Sequence, residues 1–155
     1  MTPDFDAVEA AARERVGVRL FTVLAWDEDR CALHRVHSSH PVEYPVGGEK
    51  VFSREAPWIR CVVVEQQPYV GRDRDAVAAV FPDHELIASL GCGAVVNVPV
   101  VDGGRILGVL NLLDAAGAYD EGSVAAALPV AELAVEPLRR WHTEHRATGS
   151  EAARP

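Results

Sequence analysis

The chain is almost without lysine. Lys50 is the single one among fifteen basic residues, which face twenty-three acidic ones for a formal net charge of −8. Nucleic acid and anionic membrane both recruit clustered Lys and Arg to release counterions, so neither is expected as a partner. The preference for arginine reads as GC-rich coding and a bacterial source. Long apolar runs are missing too: no stretch approaches the roughly 20 residues of a membrane span. The opening Met-Thr-Pro-Asp-Phe-Asp has neither the basic nor the apolar region of a signal peptide. A cytoplasmic location is therefore expected.

Cysteine is scarce and unpatterned. Cys31, Cys61 and Cys92 are odd in number and show no Cys-x-x-Cys spacing, which indicates neither a disulfide framework nor structural zinc. Histidine comes closer to a pattern, with His34, His37 and His40 at three-residue intervals. The segment around them alternates as a strand, which sends the three to both faces, and zinc would need further ligands that no nearby spacing supplies. No metal and no cofactor is expected.

What is present is an ordinary globular composition, 48% hydrophobic and 25% charged over 155 residues. That is enough chain for one domain with a real core. We read residues 1–146 as that domain and 147–155 as a frayed polar tail. The stretch from Gly91 to Asp114 is the centre of the reading: two apolar, β-branched-rich runs flank a glycine turn, a hairpin signal. Neither run alternates, so both faces of this strand pair are covered.

Asn97 and Asn111 interrupt the two runs. A two-residue loop, Asp102-Gly103 or Gly103-Gly104, would put the amides on opposite faces, whereas a three-residue Gly103-Gly104-Arg105 loop would set them side by side. Each either satisfies backbone or lines a ligand pocket.

Around this hairpin the chain reads in order. Thr2 and Pro3 are placed to start an amphipathic helix through Val16. Val18–Trp26 and Cys31–Ser38 form a first hairpin, and Pro41, Pro45 and Gly47-Gly48 mark a loop. Ser53 opens a helical segment in which Trp58, Cys61, Val62 and Glu65 share an inner face. Gln67–Gly71 can serve only as an edge strand beside Pro68. Asp73 or Asp75 caps one short helix and Asp83 another, from His84 to Leu90. Asp120 starts the final helical region, in which Pro129 and Pro137 predict a break and a kink. Strands at both ends with helices between them argue for an α+β antiparallel sheet carrying helices.

The phrases Gln67-Pro68-Tyr69-Val70 before Asp73, Ala94-Val-Val-Asn-Val-Pro-Val-Val, Gly103-Gly104 and Ile106-Leu-Gly-Val-Leu-Asn-Leu resemble those of a GAF domain, and the likeness extends over about residues 3–145. It implies a PAS-like central antiparallel sheet of about five strands, terminal helices on one face and a pocket on the other, under a roof of short helices and loops. It further implies a small organic ligand, pairing into a homodimer through the terminal helices, and a sensor or regulatory role. With no output module attached, such a domain would signal through a separate output protein. The ligand-binding residues then expected are Trp58 and Cys61 from the roof, His84 from the short helix, Cys92 from the bend and Asn97 from the strand, with Asp83 and Glu85 able to accept hydrogen bonds from an amine.

Two other functions stay open. The free methionine-(R)-sulfoxide reductases are GAF proteins that use pocket cysteines, and Cys61 and Cys92 would be the thiols here. This chain departs from that family, reading His84-Glu85-Leu86-Ile87-Ala88-Ser89 where the family has its main cysteine, and Asn111 and Leu113 where it has acidic residues. The third function is a dimerisation module without ligand, dependent on helix residues such as Leu133 and Leu138. The Cys-His pair of bilin-binding members is absent, and Asn111-Leu112 lacks the lysine of the cyclic-nucleotide subset.

Overall fold

The computed structural model describes the backbone of residues 4–153 and the side chains of residues 4–145. Helix α1 (Phe5–Arg15) leads into β1 (Leu20–Asp27) and β2 (Ala32–Ser38). Its cap is Asp4, whose carboxylate accepts from the Ala7 N–H at 2.9 Å; Thr2 and Pro3 lie outside the described residues. The loop after β2 contains one more strand than the sequence suggested, β3 (Glu49–Val51), held by three residue pairs to β2. Next come α2 (Pro57–Ile59), which widens into a π-helical turn (Arg60–Val64), β4 (Tyr69–Gly71), α3 (Arg74–Val80) and α4 (His84–Ser89). The chain closes with β5 (Ala94–Asp102), β6 (Arg105–Asp114), α5 (Glu121–Leu133) and α6 (Val135–Ala153).

The six strands form one antiparallel sheet in the order β3-β2-β1-β6-β5-β4. The fold is α+β, with β1, β6 and β5 central and the two short strands, β3 and β4, at its edges. Both faces of the central strands are covered, which is why their sequences do not alternate. On one face Phe21, Val23, Val96, Val98, Leu110 and Leu112 pack with Val8 and Ala12 of α1, Val130 of α5 and Leu138 of α6. On the other, Trp26, Leu33 and Val109 meet Ile59, Val62 and Val63 of the roof, and Leu20, Val95 and Leu113 meet Val77 and Ile87. Each buried Val, Leu, Ile or Phe among them contributes about 1.5–3 kcal/mol by leaving water.

Two β-bulges set which side chains share a face. Between β5 and β6 the loop is the two-residue Gly103-Gly104, with Asp102 opposite Arg105 and Val101 opposite Ile106, but the next pair is Val100 with Gly108. Leu107 is therefore an extra residue, and beyond it Asn97 lies directly opposite Asn111. Loop length alone would have put the amides on opposite faces; the bulge reverses the parity. In the first hairpin, Val23 pairs with His37 and Leu24 with Arg35, leaving Val36 as the extra residue. Strict alternation would separate His34 from His37. With the bulge, both face the helices: His37 Nε2 lies 2.8 Å from Glu9 of α1 and His34 packs on Trp141 of α6.

The helix ends carry further corrections. Asp73, not Asp75, caps α3, accepting from the Ala76 N–H at 2.9 Å. Asp83 makes no capping bond to α4 and instead accepts from the Tyr44 hydroxyl at 2.6 Å. Helix α5 runs continuously through Pro129, and the break falls at Ala134. That places Pro137 in the first turn of α6, where its missing N–H has no helical partner to lose. The backbone of α6 is helical to Ala153, so it covers part of the segment read as a tail; Arg154 and Pro155 lie outside the described residues.

Candidate functional site

A cavity of about 410 Å³ lies between the sheet and its roof. Its floor is Leu20, Thr22 and Leu24 of β1, Leu33 and Arg35 of β2, and Asn111 and Leu113 of β6; its roof is Trp58, Phe81, Asp83 and Ile87, with Tyr44 and Phe52 at the side. The lining is largely apolar with a few polar groups, as small-molecule sites usually are. Trp58 stands edge-on to Phe81, 6.1 Å between ring centroids, and 6.4 Å from Phe52.

One hydrogen-bonded chain crosses the floor from the roof. The Trp58 indole N–H donates to Asn97 Oδ1 at 2.9 Å, Asn97 Nδ2 to Asn111 Oδ1 at 2.7 Å, and Asn111 Nδ2 to Thr22 Oγ1 at 3.1 Å. An indole can only donate, so the direction of every later bond is fixed: each amide must accept with oxygen and donate with nitrogen. Thr22, at the end, accepts and keeps its own proton to give. Burial of two amides is tolerated because each has both partners. The chain exists because the β6 bulge aligns the two asparagines.

Charge enters from β2. The Arg35 guanidinium lines the cavity, 4.8 Å from the Tyr44 ring centroid, and spends one N–H on the Pro45 carbonyl at 3.2 Å. Its Nε is buried and, among the described residues, has no hydrogen-bond partner. Burial pulls the Arg35 pKa below its ordinary value, against the opposing influence of Tyr44 and Asp83. Burial and the bond to Asp83 push the Tyr44 hydroxyl well above the usual range, so it stays a donor. Lys50 lines the same cavity, its Nζ 5.4 Å from the Phe52 centroid.

The residues expected from sequence are only partly brought together. Trp58 lines the cavity and Asn97 supports it from behind. Cys61 sits on the π-helical turn, its thiol directed at the Gln67 carbonyl at 3.7 Å, because the wider winding there breaks the helical spacing that aligned it with Trp58. His84 and Cys92 lie together with Glu85 around a separate small hollow of about 110 Å³ between α3, α4 and β5. Burial pushes the Cys92 thiol up to about 11 and raises that of Cys61 as well. Arg35, Tyr44 and Thr22 are polar cavity residues that the sequence reading did not choose, whereas Asn111, weighed there beside Asn97, does line the cavity. An arginine within the apolar and polar exchange of β2 was the available signal for Arg35; its face follows from its register opposite Leu24, one alternation on from Leu33.

The profile of the GAF domain family matches residues 5–135. The chain belongs to the GAF domain family. This GAF domain also resembles solved structures. The domain of a putative two-component sensor histidine kinase from Sinorhizobium meliloti 1021 aligns with a TM-score of 0.64 at 18% identity over 93% of this chain and 94% of that one. The GAF domain of a two-component sensor histidine kinase from Bacillus halodurans gives 0.67 at 12% identity, over 91% and 95%. The GAF domain/HD domain protein from Geobacter sulfurreducens gives 0.66 at 14%, over 88% and 94%. At such identities these likenesses establish the fold. No curated protein matches this chain in sequence. No helix among the described residues is long and apolar enough to cross a membrane.

Proposed function

We propose that this GAF domain is a cytoplasmic sensory or regulatory module whose roofed cavity binds a small organic anion, a carboxylate on an apolar or aromatic body. The carrying observation is Arg35, a cation facing the cavity with a buried Nε that no described group satisfies. A carboxylate is the planar acceptor that a guanidinium fork fits. The Thr22 proton and Lys50 add donors on the same wall, while Trp58, Phe81 and Phe52 offer faces for a ring. Asp83 is occupied by Tyr44, which leaves an amine ligand without its expected partner.

The test is thermal-shift screening with aryl and alkyl carboxylates beside their neutral amides and matching amines. Carboxylates should raise the melting temperature of the wild type and leave Arg35→Gln unmoved. Stabilisation by amines alone, or equal stabilisation of Arg35→Gln, would reject the assignment. Thiol reductase chemistry draws no comparable support, since both candidate cysteines are held protonated and lie outside the cavity. Pairing into a homodimer is supported by exposed Leu128 and Leu133 on α5; Leu138, the other residue considered for that role, is fully buried in the core.

A further inference from the structure

Away from the cavity, on the helix-covered face, Asp27, His34 and His145 converge where α6 crosses the turn end of the first hairpin. Asp27 ends β1, His34 pairs with Ala25 on the same face, and His145 arrives from α6. Nε2 of His34 lies 3.5 Å and Nε2 of His145 3.4 Å from Asp27 Oδ2, and all three donor atoms fall within 4.8 Å of one another. Glu49 on β3 places Oε2 3.2 Å from His34 Nε2. Around zinc with bonds of about 2.0–2.1 Å, the edges of the coordination tetrahedron are about 3.3–3.4 Å long. The contacts with Asp27 are already near ligand-to-ligand spacing.

Hydrogen bonding alone accounts poorly for this cluster. Among the described residues, His34 Nε2 is buried without a hydrogen bond of proper geometry, although two carboxylates stand within 3.5 Å of it. The side chains are nonetheless held in place. Asp27 Oδ1 accepts from the Arg30 N–H at 3.3 Å, which turns Oδ2 towards the histidines. His145 stacks on Trp141 at 4.4 Å and 12°, and His34 tilts against the same ring at 5.3 Å. Asp27 and His145 also line a cleft of about 660 Å³ that connects the cluster with solvent.

We propose that Asp27, His34 and His145 form a binding site for a divalent transition-metal ion of the zinc class. Two imidazoles and one carboxylate suit such an ion better than magnesium or calcium, which prefer all-oxygen shells. The fourth position falls to water or to Glu49, whose carboxylate is engaged by Arg30 at 2.8 and 2.6 Å. Because its ligands come from β1, β2 and α6, the ion would fasten the terminal helix to the sheet. Sequence spacing could not disclose this set: it joins positions 27, 34 and 145 through strand pairing and helix docking.

Metal-stripped, untagged full-length protein titrated with zinc, by calorimetry and native mass spectrometry, provides the test. One zinc per chain should bind, and cobalt(II) should give the intense visible bands of a tetrahedral site. Losing an outer-shell partner typically weakens a metal about 10–100-fold, so His145→Ala and the near-isosteric Asp27→Asn should each weaken zinc by at least that much. His40→Ala, in the loop beyond β2, should bind as the wild type does. Circular dichroism verifies that the variants are folded, and Asp27→Asn carries the test if His145→Ala is not. Absence of zinc binding at sub-millimolar concentration, undiminished binding in both variants, or magnesium binding as tight as zinc would overturn the assignment.

Discussion

Asn111 is hydrogen-bonded on both sides, to Asn97 and to Thr22, and that is what lets an amide occupy the central strand of a sheet. Asn111→Ala would leave the Asn97 Nδ2 donor without its acceptor and the Thr22 hydroxyl oxygen without its donor in a buried place. The cost should be about 1–3 kcal/mol per unsatisfied group, seen as a lowered urea midpoint with little change in slope. A loss below about 0.5 kcal/mol would show that water takes over the bonds. Gly108 is the opposite case, a residue chosen for what it lacks. A Cβ there would sit 2.2 Å from the Leu24 carbonyl oxygen and 3.1 Å from Leu138, and neighbouring backbone cannot yield cheaply. Gly108→Ala should destabilise by about 2–3 kcal/mol or more, whereas Gly104→Ala, in the open turn, meets no atom and strains only its positive φ of 82°. Equal thermal stability of Gly108→Ala and wild type would contradict the packing described.

At the scale of elements, the bulges decide more than the strands they interrupt. Leu107 lifts a carbonyl that His142 of α6 meets at 2.8 Å, so the same distortion that aligns Asn97 with Asn111 also helps dock the last helix. Leu138 completes that docking from full burial. Leu138→Ala should cost about 2–5 kcal/mol and raise hydrogen exchange in α6 first; a loss confined to dimer affinity would place Leu138 at an interface instead. The elements themselves were readable from sequence: the helix start at Asp120, the edge strand at Tyr69 and the central hairpin all have local causes, while the choice of Asp73 over Asp75 as the α3 cap came with the structure. The Asp120 cap even forms a reciprocal box with Ser123. β3 was not readable, because Glu49-Lys50-Val51 has no pattern of its own and becomes a strand only where β2 offers an unpaired edge.

For the whole molecule, acid should loosen the helical layer. Burial opposes ionisation of Glu9, but its bonds to His37 and Arg13 outweigh that and hold the carboxyl below its ordinary 4.5. A carboxyl that is more acidic when folded stabilises the fold fully above its unfolded value and loses that contribution as the pH drops through the folded one. Stability should therefore decline from about pH 4.5 downwards, and Glu9→Gln should flatten part of that slope in chemical-denaturation curves. An unaltered slope would mean that the Glu9–His37 contact contributes nothing. Dimerisation belongs to this scale too. If α5 pairs with a second copy, Leu128→Glu with Leu133→Glu should shift sedimentation to the monomer without lowering the melting temperature of the protomer.

Composition and local pattern were sufficient for the class of the protein and its hairpin centre, because short-range propensities and turn chemistry act on contiguous residues; the family was reached through the resemblance of its phrases. The face on which each side chain emerges was another matter. Asn97 with Asn111, and His34 with His37, are arranged by two single extra residues, Leu107 and Val36, whose bulging depends on what packs above and below the sheet. The cavity wall at Arg35 and the meeting of Asp27, His34 and His145 depend on the pairing of β1 with β2 and on the docking of α6. Side-chain parity is a property of strand pairing, and pairing is settled only when the helices and roof close on the sheet.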